Sequence, residues 1–559
     1  MNTCQSLINP DGSKATVSKA PGIKKALQTA IQHLKPPESV LNETKYILEG
    51  LDEIPIDMKA SVTHATIEFA GIKFRSKATS GQEYIMHIEN GILKKTYETF
   101  QNIGTIVVCE EKYSFTPDDF KCATRVNRKK KMETQSIAHL KSGEEIISDR
   151  KMSKSAVIST TEGKKLISNY LAKNLSKLNI RKPMTIIVDS EMVFECYNQC
   201  DDIDSCVHKK YTLPVAAHFN RAGFVQQEVL EEVHQTKGEA EMAQVDWLST
   251  LEPKLKEGSA VLSVVSSGDI DSVVIHMMIL SLRWPRKDDG TFKTPVYVLL
   301  QKVKPDIYKI TDLIQYLEQT LGFKYAAVYI ATVCLLGGND FIPKLQDKTH
   351  EKWMSIFLND KGLLERLVHI QETVGFPTIM TIDEGVYVTA LKRLYTSKGL
   401  HSLDLSFEEV RQLSIKVPGK KEFRNPTLWM PPYSAVQSLI RLIDCQLEYM
   451  LTAWTHNAEL PDFLGKGCLT KDAFTGNISY DFGKESYIDK IDDLLQIDED
   501  LLSQKIGRGK KKAKSKRNLD NCTPQKEVCV KRKSQRPTPR KMKRSQCVKA
   551  LQLQPETES

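Results

Sequence analysis

Short runs of aliphatic and β-branched residues, several of them closing on an acid, constrain this chain more than any other feature. Val261-Leu262-Ser263-Val264-Val265 reads as a buried parallel strand that delivers the turn Ser267-Gly268-Asp269-Ile270-Asp271. Ile103-Gly104-Thr105-Ile106-Val107-Val108-Cys109 is a second such run, followed at once by Glu110 and Glu111. Met184 to Val188 is a third, closing on Asp189, and Thr294 to Leu300 adds another. The first strand of the series is expected over Ala65-Thr66-Ile67-Glu68-Phe69-Ala70. Helical spacing separates these runs, over Tyr84 to Phe100 and Lys164 to Leu178. A further helix is expected from Lys24 to Leu34, cut off by Pro36-Pro37. Strands alternating with helices argue for an α/β fold with a central parallel sheet. Tyr325 to Leu336 is an apolar helix or strand stopped by Gly337-Gly338. From about Thr349 to Leu464 the pattern is mainly helical, interrupted by Pro426, Pro431 and Pro432.

Five acids fall beside these elements in a fixed order: Glu239 and Glu241, then Asp269 and Asp271, then Asp340. Glu239 and Glu241 open a stretch continuing through Met242, Val245, Trp247 and Leu248, which fits the start of an amphipathic helix. Carboxylates gathered at the carboxyl ends of parallel strands suit hard divalent cations, which take anionic oxygen ligands.

Glu-x-Glu, Asp-x-Asp and Gly-x-Asp in this order resemble the internal region of the flap-endonuclease/XPG (PIN-like) superfamily of structure-specific nucleases. Gly338-Asn339-Asp340-Phe341-Ile342-Pro343 is also similar to the matching motif of the 5′→3′ exoribonucleases on that fold. The resemblance is specific over roughly residues 235–345, weaker upstream and absent after about 400. It implies a metal-dependent nuclease domain over 61–345 that uses two Mg²⁺ or Mn²⁺ ions. Asp269, Asp271 and Asp340 would serve mainly one ion and Glu239 and Glu241 the other. The family places an Asp at the end of the first strand and another after the second. Here the matching positions are Glu68 and either Glu110 or Glu111, a departure that leaves a decayed, nucleic-acid-binding scaffold as an alternative. Glu68 also reads as an outward-facing strand residue. Members of the family grip the scissile phosphate with a basic helix after the second acidic turn. Lys121 and Arg125, four apart, match it in the catalytic role, with Arg128, Lys129, Lys130 and Lys131 behind them. Asp189 lies outside the motif order and is expected only in an outer shell. DNA is favoured over RNA as substrate, although the Gly-Asn-Asp-Phe-Ile-Pro match points toward RNA.

No histidine falls in a triad pattern and no GxxxxGK[ST] loop is present, which argues against an ATPase. No run of eighteen apolar residues exists, so no membrane span is expected, and no secretory signal is visible. Twelve scattered cysteines suit a reducing compartment. Cys196, Cys200, Cys206 and His208 depart from zinc spacings and read as ordinary thiols. Residues 1–60 are expected as a partly disordered extension and 346–500 as a mainly helical region. Over 505–559 the composition changes sharply, with eighteen Lys or Arg against two acids between Lys505 and Lys549. That tail is expected to be disordered. Lys510, Lys511, Lys512, Lys514, Lys516 and Arg517, followed by Lys531, Arg532 and Lys533, read as a two-part nuclear-localisation signal that also tethers nucleic acid.

Overall fold

The computed structural model describes residues 4–9, 14–15, 19–34, 54–69, 83, 93–110, 161–189, 214–230, 237–265, 269–301, 305–373, 376–401, 404–416, 423–456, 458–466, 469–474 and 478–482. They belong to a unit running from Met1 to Gly509; the second unit, Lys510–Ser559, lies outside the described residues.

An eight-stranded sheet forms the frame. Its strands are β1 (Val62–Glu68), β2 (Thr105–Cys109), β3 (Met184–Asp189), β4 (Val215–Asn220), β5 (Gly223–Val229), β6 (Ala260–Val265), β7 (Val296–Leu300) and β8 (Asp306–Lys309), in the order β5-β4-β3-β2-β1-β6-β7-β8. The five central strands run parallel, as their apolar sequences require. Antiparallel strands extend both ends: β4 and β5 beyond β3, and β8 beyond β7. Those three strands carry no run long enough to announce them in the sequence. Chain order reverses across β1, which pairs with β2 on one side and β6 on the other. In an open α/β sheet such a reversal opens a crevice at the carboxyl ends of the strands.

The helices are α1 (Lys19–His33), α2 (Ile56–Ser61), α3 (Lys94–Thr99), α4 (Thr161–Asn174), α5 (Ala240–Leu251), α6 (Asp271–Arg283), α7 (Ile310–Leu321), α8 (Ala326–Leu336), α9 (His350–Leu358), α10 (Lys361–Leu364), α11 (Glu384–Tyr395), α12 (Phe407–Ile415) and α13 (Tyr433–Leu451). Alternation along the strands decides which layer each residue meets. Ala65 and Ile67, Ile106 and Val108, and Leu262 and Val264 join one core with Leu171 of α4. Val261 and Val265 face the other way, into a core shared with α5, α6, α7 and α8. Val107 and Cys109 pack on Trp247 and Leu251 of α5.

The larger core does not stop at residue 345. Trp353 and Phe357 of α9, Tyr387 of α11 and Leu442 of α13 belong to it. So do Cys4, Leu7 and Ile8 near the N-terminus, and Ile23, Leu27 and Ile31 of α1. These N-terminal residues are therefore an integral layer and not an appendage. The expected start of α1 is five residues late, because Pro21-Gly22 reads as a break although proline is tolerated in a first helical turn. Gly22 is needed for close approach: a Cβ there would stand 2.4 Å from His350 Nδ1. The expected helix-or-strand over 325–336 is the helix α8, buried on nearly every side. Beyond 346 the chain is less purely helical than expected. Two antiparallel hairpins, Val368–Thr373 with Phe376–Ile382 and Leu469–Lys471 with Ile478–Tyr480, interrupt it. No single described helix is long and apolar enough to cross a membrane.

Candidate metal centre

Strand ends set the level of the site. Glu68 closes β1 opposite Cys109 of β2, and Cys109 in turn faces Asp189, the last residue of β3. Glu110 follows one residue later. All three acids are buried, with Glu68 4% and Glu110 5% exposed, so Glu68 is not the outward-facing strand residue the sequence also allowed. Spaced two from Thr66, it shares the face that meets α5 and α6. Asp189 is held from across that face: Trp247 Nε1 of α5 donates to its Oδ2 at 2.8 Å.

Helix starts bring in the next acids. Glu239 is the residue before α5 and Glu241 lies in its first turn, both buried. Gln244, one turn after Glu241, donates to the backbone carbonyls of Thr66 at 3.4 Å and Val264 at 3.0 Å. This docks the beginning of α5 over the ends of β1 and β6. Asp271 opens α6, and its backbone N–H donates to Asp269 Oδ1 at 3.2 Å. Acids in a first turn are favoured by the partial positive charge of the helix N-terminus.

Asp340 arrives through a rigid turn. Gly338 adopts φ +99°, which disfavours any side chain. Asn339 Oδ1 accepts from the backbone N–H groups of Phe341 at 2.7 Å and Ile342 at 2.9 Å, and its Nδ2 donates to Gln446 Oε1 of α13 at 3.1 Å. Phe341 packs against Tyr449 and Phe463. Behind the turn, His350 contacts Gly338 O through Nε2 at 2.9 Å, and a Cβ on Gly337 would stand 2.3 Å from the same ring. Burial lowers the pKa of His350.

The outcome is a cluster. One carboxylate oxygen each from Asp269, Asp271 and Asp340 lie within 4.8 Å of one another, and all three side chains are partly open to solvent. Two oxygens on one octahedral ion at about 2.1 Å stand about 3 Å apart when adjacent and about 4.2 Å when opposite. The observed spacing is close enough for small side-chain adjustments to bring the three onto one ion, and all-oxygen donors suit a hard divalent cation. Residues 239 and 241, some thirty positions upstream in sequence, stand at the start of a helix docked against the same strand ends.

Two contributors escaped the sequence reading. The Lys14 ammonium is buried and donates to the main-chain carbonyl of Asn339, next to Asp340. Lys237, just before the Glu-x-Glu pair, is 1% exposed; it donates to Thr452 O at 2.6 Å and to Thr455 O, and the Lys237 carbonyl accepts from Tyr449 Oη. Burial holds its ammonium pKa below the ordinary value, with Asp246 pulling the other way. Neither lysine stands in a recognisable motif. Glu111, Lys121, Arg125, Arg128, Lys129, Lys130 and Lys131, the Cys196–His208 group and the basic clusters of the tail lie outside the described residues.

Compared with known proteins, the chain matches no family model and no curated sequence.

Proposed function

We propose that this chain is a metal-dependent nuclease of the flap-endonuclease/XPG (PIN-like) kind, hydrolysing phosphodiester bonds in DNA in preference to RNA. The observation that carries the reading is the meeting of Asp269, Asp271 and Asp340 within 4.8 Å at the carboxyl edge of a parallel sheet, beside its point of chain reversal. Asp269, Asp271 and Asp340 would hold one divalent cation; Glu239 and Glu241, with Glu68 and Glu110, would hold a second. Such ions supply a water activated near neutral pH and stabilise both the entering and the leaving oxygen of an in-line displacement. The protein's share is to keep these carboxylates converged and partly dehydrated, so that each charge acts in a low-dielectric wall. Lys121 and Arg125, with Arg128 to Lys131, would neutralise phosphates next to the scissile bond. The basic tail would add nuclear targeting and sequence-independent contacts.

A second reading rests on Glu68 and Glu110, both buried where the resembling family has aspartate. One extra methylene displaces a carboxylate, and Mg²⁺ demands near-ideal geometry. On that reading the chain binds nucleic acid without cutting it. The two separate in one experiment. The purified full chain is incubated with labelled flap DNA, single-stranded DNA and RNA in Mg²⁺ and in Mn²⁺, beside an Asp271→Asn variant. Nuclease function predicts cleavage that falls by about 100-fold or more in the variant, the scale on which loss of one electrostatic group is felt at a reaction centre. Binding without cleavage above the variant in either metal establishes the scaffold reading instead.

A further inference from the structure

Beneath the acids lies a chain of polar side chains that the mechanism does not use. Thr66 of β1 donates through Oγ1 to Ser263 Oγ of β6 at 3.1 Å. Ser263 Oγ meets His276 Nε2 of α6 at 2.9 Å. His276 Nδ1 lies 2.7 Å from the backbone carbonyl of Ser272, one residue after Asp271. Gln244 of α5 closes the set from above by donating to the Thr66 and Val264 carbonyls. Thr66, Gln244, Ser263, Ser272 and His276 are all 0% exposed.

Hydrogen-bond bookkeeping fixes the direction of this chain. A carbonyl only accepts, so His276 Nδ1 carries the proton, and the neutral ring then offers Nε2 as an acceptor. Burial pushes the His276 pKa down to about 4, consistent with a neutral ring. Ser263 therefore donates to Nε2 and is left free to accept from Thr66. Ser272 Oγ also lies 3.3 Å from Nδ1, but the closer carbonyl at 2.7 Å keeps the proton on that nitrogen.

The four elements joined here carry or lead to five of the candidate ligands, Glu68, Glu239, Glu241, Asp269 and Asp271. Thr66 precedes Glu68 by two residues on the same strand face, and Gln244 follows Glu241 by one helical turn. Ser263 lies in the strand that leads to Asp269, and His276 is bonded to the turn that begins with Asp271. Apolar packing alone would let these elements slide by fractions of an ångström, whereas a directional chain of buried hydrogen bonds fixes a single register. We propose that Thr66, Ser263, His276 and Gln244 are positioning residues that hold β1, β6, α6 and α5 in the register that converges the carboxylates on a divalent cation. The inference rests on the cation-site reading above and adds the residues that set its geometry.

The test is Mn²⁺ titration of the full chain by calorimetry, with thermal melting in parallel. Thr66→Val keeps shape and removes the hydroxyl; Thr66→Ser keeps the hydroxyl and removes a methyl group. A positioning role predicts that Thr66→Val weakens Mn²⁺ binding by roughly 10-fold, as loss of outer-shell hydrogen bonds does, while Thr66→Ser binds as wild type. Ser263→Ala should weaken binding at least as much. A role in packing alone predicts the reverse order, with Thr66→Val neutral and Thr66→Ser the poorer variant. Wild-type Mn²⁺ affinity in both Thr66→Val and Ser263→Ala, when Asp271→Asn has lost it, overturns the positioning inference and leaves the cation site standing. Absence of Mn²⁺ binding by the wild type itself, or equal binding by Asp271→Asn, sinks the cation site and this inference together. A readout independent of variant folding is available in ¹⁵N-histidine spectra of the wild type, assigned with His276→Gln. They should show His276 neutral with the proton on Nδ1, and a proton on Nε2 overturns the proposed chain.

Discussion

His276 shows how much of this site depends on one residue kept neutral. Its pKa is lowered from the ordinary histidine value to about 4 by burial. Unfolding releases it to about 6.5, so between these values the unfolded chain binds more protons and His276 makes stability rise with pH. Asp444 acts with the opposite sign over part of that window: burial raises its pKa to about 6, so its contribution is lost as pH climbs toward 6. The wild-type profile mixes these with the lowered pKa values of His64 and His350, but a difference between variants isolates His276. The destabilisation caused by His276→Gln should be largest at pH 7 and shrink by up to about 3 kcal/mol by pH 4. Urea unfolding of both proteins at pH 7, 5.5 and 4.5 measures it, and a pH-independent gap would contradict the assignment. A second substitution probes the Asp340 turn. Gly337→Ala drives a Cβ to 2.3 Å from the His350 ring and 2.8 Å from its Cα, so it should cost about 1–3 kcal/mol or more on the same measurement. At this scale the acids were legible because each stands at an end of an apolar run, as Asp269 and Asp271 do after Val261 to Val265. Thr66, Ser263 and His276 were not legible. Each is a single polar residue in an apolar stretch, and the Thr66–Ser263 bond spans 197 positions of chain.

Elements were readable where their pattern was long. The five parallel strands could be placed from composition alone and residues 325–336 as a helix or strand, yet the β4–β5 hairpin could not. Phe224, Val225 and Val229 are exposed in β5, so that edge strand lacks the half-buried alternation by which strands are recognised. The packing of the described N-terminal residues was not legible for a different reason: their contacts are long-range, with α1 against His350 and residues 14–15 against 339–344. Six of the larger apolar residues there, Leu7, Ile8, Ile23, Leu27, Ile31 and Cys4, are 3% exposed or less. At about 1.5–3 kcal/mol for each fully buried aliphatic side chain, their loss is comparable to the whole stability of a domain. A chain lacking residues 1–34 should therefore give no cooperative melt by circular dichroism or calorimetry. Retention of the wild-type melting temperature would show that this layer is dispensable. Lys237 makes a parallel case between α5 and the end of α13. Lys237→Met removes a charged donor from two carbonyls and should cost about 2–3 kcal/mol in urea unfolding.

Besides the acids of the sheet edge, the sequence carries a strongly basic stretch over residues 505–549. Deleting residues 505–559 should weaken nucleic-acid binding and flatten its dependence on salt, which for phosphate contacts is steep between roughly 50 and 200 mM. Turnover at saturating substrate should stay unchanged, and an unaltered salt slope would remove the tail from the binding surface. The central claim concerns the edge itself: that Asp269, Asp271 and Asp340 are drawn together to hold a divalent cation. Crystals soaked in Mn²⁺ and measured for anomalous scattering test it most directly. A peak within about 2.0–2.5 Å of a carboxylate oxygen from each of the three aspartates is the predicted result. Ordered aspartates with no anomalous peak among them, at Mn²⁺ concentrations that occupy other acidic sites on the same molecule, would contradict it.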